Sequence, residues 1–203
     1  MTARDVVVIG AGHNGLVAAC YLARAGLDVE VVERDTVVGG AVSTVERWPG
    51  VRVDRGSSLH VMVRHTGIVE DLELADMGLR YDDVDPWAVA PGESGPLTFS
   101  VDADATCASI ESVCGAADAD AYAAFLLRWQ PRVEAMLAAF HRPPTPVNLG
   151  RALWPLGRRA GRGLGGLVRE LLQPADRMLD EHFTDERLKS AIAWWAAQSG
   201  PPP

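Results

Sequence analysis

The N-terminal part of the chain alternates between short apolar runs and a pattern of small helix-forming residues. The β-branched run Val6–Ile9 predicts a strand that is buried on both faces of a parallel sheet. A glycine-rich turn over residues 10–15 leads into a helix predicted over residues 16–25, and Gly26 suits the left-handed end of that helix. Val29–Val32 predicts a second buried strand. Strand, turn, helix and strand within about thirty residues make one βαβ unit.

The pattern loosens beyond residue 40. Val51–Asp54 alternates like an exposed strand, and Ile68–Leu74 predicts a short helix. The stretch Asp82–Gly95 is rich in Asp, Pro and Gly, which predicts a long loop or a domain boundary. We therefore expect one domain part over residues 1–82 and a second over residues 83–203.

The second part has mainly helical periodicity. A strand is predicted at Leu97–Val101, followed by helices over residues 106–113, 120–140, 174–182 and 185–198. The longest of these helices has an apolar stripe that we interpret as packing surface. Its members are Tyr122, Phe125, Leu126, Trp129, Val133, Met136, Leu137 and Phe140. The expected fold class is α/β, with a Rossmann-type unit followed by a largely helical segment.

Composition narrows the class of protein. At 203 residues with 48% hydrophobic content, the chain can bury a core, and its net charge of -8 argues against sequence-independent binding to nucleic acid. Cys20, Cys107 and Cys114 are too few and too scattered for a disulfide framework or a zinc site. We expect three reduced thiols, with Cys20 as a small buried hydrophobic residue. Neither a signal peptide nor a membrane-spanning run is visible, which favours a cytoplasmic protein.

The glycine-rich turn carries the main functional prediction. Gly10 permits the sharp turn out of the strand, Gly12 leaves room for a pyrophosphate, and Gly15 lets the helix pack closely. The N–H groups at the start of the helix then face the phosphates. Glu33, at the end of the second strand, can accept hydrogen bonds from the hydroxyl groups of the adenosine ribose. The spacing that continues through Ala19, Leu22, Gly26 and Val29 completes a dinucleotide-binding pattern.

The residues around Glu33 indicate which dinucleotide is bound. A carboxylate at this position repels a 2′-phosphate and so disfavours NADP, although the neighbouring Arg34 keeps NADP open. The pair Gly39 and Gly40 lets another backbone segment approach the diphosphate and the flavin, a feature that a plain NAD dehydrogenase does not need. We therefore predict FAD as the cofactor.

At this point the chain resembles a known family. Residues 5–33, then Val37–Gly40 and Val53–Ser58, look like the amine-oxidase-like flavoproteins and, within them, the phytoene (carotenoid) desaturase-like oxidoreductases. The variant Gly10–Ala19 is similar to the subgroup described as pyridine nucleotide-disulfide oxidoreductase domain-containing. Relatives of this kind are longer, so the resemblance implies that this chain is an N-terminal part, without the C-terminal segment that completes the flavin pocket.

The resemblance implies a set of cofactor-binding residues and leaves the roles of Ala41 and of His60, which is outside that set, open. Many relatives have arginine where this chain has Ala41, and His60 could lie near the flavin or be an ordinary hydrogen-bonded histidine. No catalytic residue is predicted, because the flavin itself accepts the hydride. No metal site is predicted either. The implied FAD-binding residues are Gly10, Ala11, Gly12, Asn14, Gly15, Glu33, Arg34, Gly39, Gly40, Ala41, Gly56, Ser57 and Ser58.

Three functional hypotheses remain at this stage. The first is an FAD-dependent oxidoreductase acting on an apolar, isoprenoid-like small molecule. The second is a non-catalytic subunit or fragment that needs a partner chain to complete its flavin pocket. The third is an NAD-dependent dehydrogenase.

A separate hypothesis concerns the membrane. Arginines between Arg151 and Arg169 are interspersed with Trp154 and several leucines, a composition that suits peripheral contact with an anionic membrane as well as a solvated helix face. The arginines are Arg151, Arg158, Arg159, Arg162 and Arg169, and the leucines are Leu153, Leu156, Leu164 and Leu167.

Overall fold

A computed structural model of the chain describes residues 3–57, 59–60, 62–140, 142–159 and 163–198. The chain divides into two compact units, residues 1–81 and residues 82–203. Each unit has its own strands and helices.

The first unit contains the predicted βαβ arrangement. Strand β1 (Val6–Ile9) pairs in parallel with strand β2 (Val29–Val32), and helix α1 (His13–Arg24) connects them. Helix α1 starts at His13 rather than at the predicted residue 16, because the end of the glycine-rich turn already forms the first helical turn. Gly12 is the residue that precedes the helix.

One face of this two-stranded sheet is exposed, which corrects the prediction of strands buried on both faces. Val7 is 52% exposed and Ile9 is 89% exposed, and Val32, opposite Ile9, is 41% exposed. Val6 and Val8 lie on the other face and are half-buried. The apolar run thus forms a strand of the predicted sheet, but the residues that the structure describes pack against one face of that sheet only.

The described remainder of the first unit contains a hairpin, a short α-helix and two short 3-10 turns. Strand β3 (Thr44–Trp48) pairs antiparallel with β4 (Val51–Asp54), and only β4 was predicted. Helix α2 (Ile68–Asp71) is shorter than predicted. It ends there because Glu73 adopts a left-handed backbone conformation, with φ at 54°, that cannot continue a helix.

Within the part that the structure describes, the second unit combines one antiparallel strand pair with six helices. Strand β5 (Ala88–Ala90) lies inside the stretch predicted as a loop and pairs with β6 (Leu97–Phe99). The indole N–H of Trp87 donates to the carbonyl of Ser100 (3.1 Å) beside this pair. The helices are α3 (Ala103–Cys114), α4 (Ala116–Phe140), α5 (Pro146–Arg159), α6 (Gly163–Leu172), α7 (Ala175–His182) and α8 (Glu186–Gln198).

The core of the second unit is formed by strand β6 together with helices α3, α4, α7 and α8. Only the first half of the predicted α4 stripe packs into it: Tyr122 is buried, whereas Met136 is 42% exposed and Phe140 is 70% exposed. Helical spacing thus identified the apolar stripe, but it did not show at which residue the stripe stops being buried by other elements. The buried core residues are Leu97, Phe99, Ile110, Ala119, Tyr122, Leu179, Phe183 and Leu188.

The three cysteines differ in their environments. Cys20 is exposed, contrary to prediction, because its neighbour Ala19 takes the buried position of α1 and adjacent helical residues point about 100° apart. Cys107 and Cys114 are half-buried, and burial raises the pKa of Cys114 to about 11. Within the described residues, no helix has the length and apolarity required to span a bilayer.

Candidate nucleotide-binding site

The glycine turn after β1 is held in a conformation that requires glycine. Gly10 has φ at 101°, and its N–H donates to the carbonyl of Val32 at the end of β2 (2.7 Å). A Cβ on Gly15 would collide with the carbonyl oxygen of Gly10, so the helix can approach the turn only without a side chain there. A Cβ on Gly12 would meet no atom within 4 Å. The turn therefore presents an open face at Gly12, where a diphosphate can approach the backbone.

The start of helix α1 faces this opening with unused donors. The first helical hydrogen bond runs from the Leu16 N–H to the Gly12 carbonyl (2.9 Å), so the N–H groups of residues 13–15 have no acceptor inside the helix. Gly12, which precedes the helix, has no side chain to cap it, and the first turn of the helix contains no acidic residue. The end of the helix thus carries a partial positive charge that favours an anion.

The paired glycines pack directly against the glycine turn. The Gly39 N–H donates to the Ala11 carbonyl (2.7 Å), and a Cβ on Gly40 would lie 3.1 Å from the Cα of Gly12. Gly39 and Gly40 both adopt left-handed conformations, with φ at 108° and 59°. The paired glycines thus contact the first glycine motif backbone to backbone, and their predicted approach to a diphosphate and a flavin stays a prediction.

Glu33 joins the two ends of this cradle. One carboxylate oxygen accepts from the Ala11 N–H (2.6 Å) and the other from the Asp35 N–H (2.8 Å). The hydrogen bonds from the N–H groups of Asp35 and Ala11 lower the pKa of Glu33, so it stays ionised. Each carboxylate oxygen can accept a further hydrogen bond, and the side chain is exposed. Glu33 can therefore contact a ribose, as predicted, while it also holds the Ala11 and Asp35 backbones in place. The sequence did not indicate this second, structural role.

A second carboxylate, Asp35, was missed by the sequence reasoning. It pairs with the guanidinium of Arg55 (2.5 Å), and the hydrogen bond from Arg55 lowers the pKa of Asp35 to about 2. The backbone of the same segment is also anchored, because the Gly56 N–H donates to the Ala41 carbonyl (3.1 Å). The sequence offered two signals for this ion pair: the acidic Asp35 two residues after Glu33, and the basic Arg55 within the Asp54–Ser58 motif.

The other predicted residues have varied positions. Arg34 is exposed beside Glu33, Ala41 is exposed in the short helical turn after Gly39, and Ser57 is half-buried; Ser58 lies outside the described residues. His60 contacts Tyr81, with its Nδ1 3.3 Å from the phenol oxygen and the rings edge to face. Its observed partner is therefore a side chain of its own unit. The predicted residues that the structure brings together are Gly10, Ala11, Gly12, Asn14, Gly15, Glu33, Gly39 and Gly40.

The chain is similar to several known proteins. Residues 8–72 match the family model of the NAD(P)-binding Rossmann-like domain. The chain is 36% identical to mouse pyridine nucleotide-disulfide oxidoreductase domain-containing protein 2, over 93% of this chain and 36% of that protein. It is 30% identical to phytoene dehydrogenase of Streptomyces griseus, over 98% of this chain and 38% of that protein.

A third relative has a higher identity over a shorter stretch of the chain. A limonene dehydrogenase subunit of Castellaniella defragrans is 47% identical over 38% of this chain and 14% of that protein. The chain spans little more than a third of the length of the mouse and Streptomyces relatives.

Proposed function

Because residues 8–72 belong to the NAD(P)-binding Rossmann-like domain family and the chain matches the N-terminal part of desaturase-like oxidoreductases, we propose that it is part of an FAD-dependent oxidoreductase. The match shows a Rossmann-like domain over residues 8–72, and the oxidoreductase activity is part of our proposal. The choice of FAD, the substrate and the role of this chain are our proposals.

The observation that carries the choice of FAD is the contact between the two glycine segments. A Cβ on Gly40 would lie 3.1 Å from the Cα of Gly12, so the two segments meet backbone to backbone, and a diphosphate at the open side of Gly12 can lie along the helix start beside the second loop. Glu33 supplies a negative charge where NADP carries its 2′-phosphate, so NADP is disfavoured. When bound, FAD supplies the acceptor for a hydride. The chain's own part is to bind the ADP half of the cofactor.

Calorimetric titration with FAD, NAD⁺ and NADP⁺ in parallel tests this choice. We expect FAD to bind, ADP to compete with it, and NADP⁺ to bind the weakest. Stronger binding of NAD⁺ than of FAD would favour the dehydrogenase hypothesis and contradict the proposal.

An apolar substrate is supported by a hollow in the second unit. The hollow has a volume of about 370 Å³, within the usual range for small-molecule sites, and every residue that lines it is apolar. It lies between strand β5 and the end of helix α8, where Trp194 and Trp195 meet edge to face with ring centroids 5.0 Å apart. Because a charged ligand would lose its hydration there without gaining a partner, an uncharged hydrocarbon is the class that fits.

Limonene is a suitable probe, since the names of two relatives refer to uncharged terpenoids. We expect limonene to change the tryptophan fluorescence of the chain, and Trp194→Ala to reduce that change. Trp154→Ala, which removes a similarly exposed tryptophan elsewhere in the unit, is the control. Equal responses from both variants would count against this hollow, and would leave the FAD proposal untouched.

We further propose that protein outside residues 1–203 completes the flavin pocket. The exposed apolar face at Val7, Ile9 and Val32 is a surface that an additional strand or helix would cover, and the relatives are much longer. Purification from the native host with quantitative mass spectrometry tests this point. A stoichiometric companion polypeptide, or a longer product of the same gene, supports it; a fully active lone chain contradicts it.

A further inference from the structure

The cationic residues of the chain are unevenly distributed. Residues 141–172, which we call the basic segment, carry six of the chain's 19 Lys and Arg residues but one of its 27 Asp and Glu residues. The basic segment includes helices α5 and α6. A chain with a net charge of -8 thus contains one strongly positive region, which is typical of a site for an anionic partner.

The single carboxylate of the basic segment is already neutralised from within the unit. Glu170 pairs with Arg128 (2.7 Å) and Arg132 (2.8 Å), both on helix α4. By contrast, Arg151 and Arg169 are exposed, and no ion pair among the described residues includes either of them. Their charges are available to a partner.

The outer face of helix α5 combines positive charge with large apolar side chains. Val147 is 59% exposed, Arg151 is exposed and Trp154 is 67% exposed, and their spacing of four and three residues puts them on one helical face. Leu156, on the opposite face, is buried at 8% exposure. Helix α5 therefore packs one side inside the unit and presents tryptophan, valine and arginine together on the other.

This combination favours a lipid surface over other anions. Guanidinium groups bind lipid phosphates, and tryptophan rings lie at the level of the headgroups with their apolar body towards the acyl chains. A nucleic acid offers phosphates but no apolar layer for Val147. Leu172, 78% exposed at the end of α6, adds a further apolar side chain.

We propose that the basic segment docks on an anionic membrane surface, with the outer face of α5 in the headgroup layer and Trp154 inserted. The binding is peripheral, since it uses a 14-residue amphipathic helix lying along the interface. This inference does not rest on FAD binding, because all of its residues lie in the second unit.

Sedimentation of the full chain with vesicles tests the proposal. We expect binding to phosphatidylcholine vesicles that contain phosphatidylserine, little binding to phosphatidylcholine alone, and weakening as salt is raised. Arg151→Gln and Arg169→Gln should each weaken binding about fivefold, the factor that corresponds to one arginine near an anionic surface. Arg177→Gln, which removes the same charge from an exposed position on α7, is the matched control and should change it little.

Insertion of Trp154 has its own readout. Brominated lipids should quench part of the tryptophan fluorescence, and that part should disappear in Trp154→Phe but persist in Trp194→Phe. Circular dichroism checks that each variant keeps its helices. Equal binding to neutral vesicles, an equal loss in Arg177→Gln, or binding to RNA without binding to vesicles would overturn the proposal.

Discussion

The two units of this protein differ in what stabilises the interior of each one. Among the described residues of the first unit, the buried hydrophobic ones are Ala11 and Ala19, and the cradle is shaped by backbone hydrogen bonds and by glycines in left-handed conformations. In the second unit large side chains such as Ile110 and Leu188 are completely buried. A diphosphate site is made of main-chain atoms, so it needs little side-chain packing of its own. Substitutions can therefore separate ligand binding from stability.

The largest effect on stability is expected from the core of the second unit. Ile110→Ala removes a side chain with 0% exposure and should lower the free energy of unfolding by about 2–5 kcal/mol. FAD affinity should not change, because the cradle belongs to the other unit. Denaturant unfolding followed by tryptophan fluorescence measures this, since five of the six tryptophans lie in residues 82–203. Val101→Ala, at a position that is 75% exposed, is the control. A loss of FAD binding in Ile110→Ala would contradict the separation of stability in the second unit from ligand binding in the first.

An intermediate effect on FAD affinity is expected at Glu33, because this side chain both holds the Ala11 and Asp35 backbones and is predicted to contact the ribose. Glu33→Gln keeps the size of the side chain but removes the charge and replaces one acceptor oxygen with a donor, which opposes the N–H groups of Ala11 and Asp35. FAD affinity should fall about tenfold, as expected for loss of a charge-assisted hydrogen bond. Glu30→Gln, on strand β2, should leave affinity unchanged in the same calorimetric titration. An unchanged affinity in Glu33→Gln would remove that carboxylate from the site.

The smallest effect concerns the Asp35–Arg55 pair and pH. Since Arg55 lowers the folded pKa of Asp35 to about 2, this pair stabilises the first unit above the unfolded value of about 4 and loses that contribution as pH falls towards 2. An NMR titration of the Asp35 carboxyl should give a midpoint near 2 in the unaltered chain and a higher midpoint in Arg55→Gln, where the hydrogen bond from the Val37 N–H remains. The same midpoint in both proteins would show that the pair has no influence on the loop.

Local pattern was sufficient to predict the nucleotide-binding framework. Strands β1 and β2, the connecting helix and the glycine spacing all follow from near neighbours in the sequence, and the predicted Rossmann-type fold and the desaturase-like resemblance are confirmed. The strands that were missed, β3 and β5, are short, and each depends on pairing with a strand that follows it.

Features that depend on tertiary geometry were not predictable in the same way. The exposure of Ile9 and Cys20 depends on which elements cover a face, which the apolar pattern does not specify. The Glu33–Ala11 and Asp35–Arg55 contacts depend on how loops meet after folding, over separations of 22 and 20 residues. All of the FAD-binding residues, those of the cradle included, stay predictions.

The most direct test of the account is a pair of measurements on Gly12→Ala. The backbone of Gly12 has an ordinary φ of -72°, and a Cβ there meets no atom within 4 Å, so the thermal unfolding of the variant should match that of the unaltered chain. The added methyl group occupies the side from which the diphosphate approaches, and FAD affinity should fall about 100-fold or more as amide contacts are lost. An unfolding temperature and an FAD affinity that are both unchanged would contradict the proposal that this turn holds the cofactor.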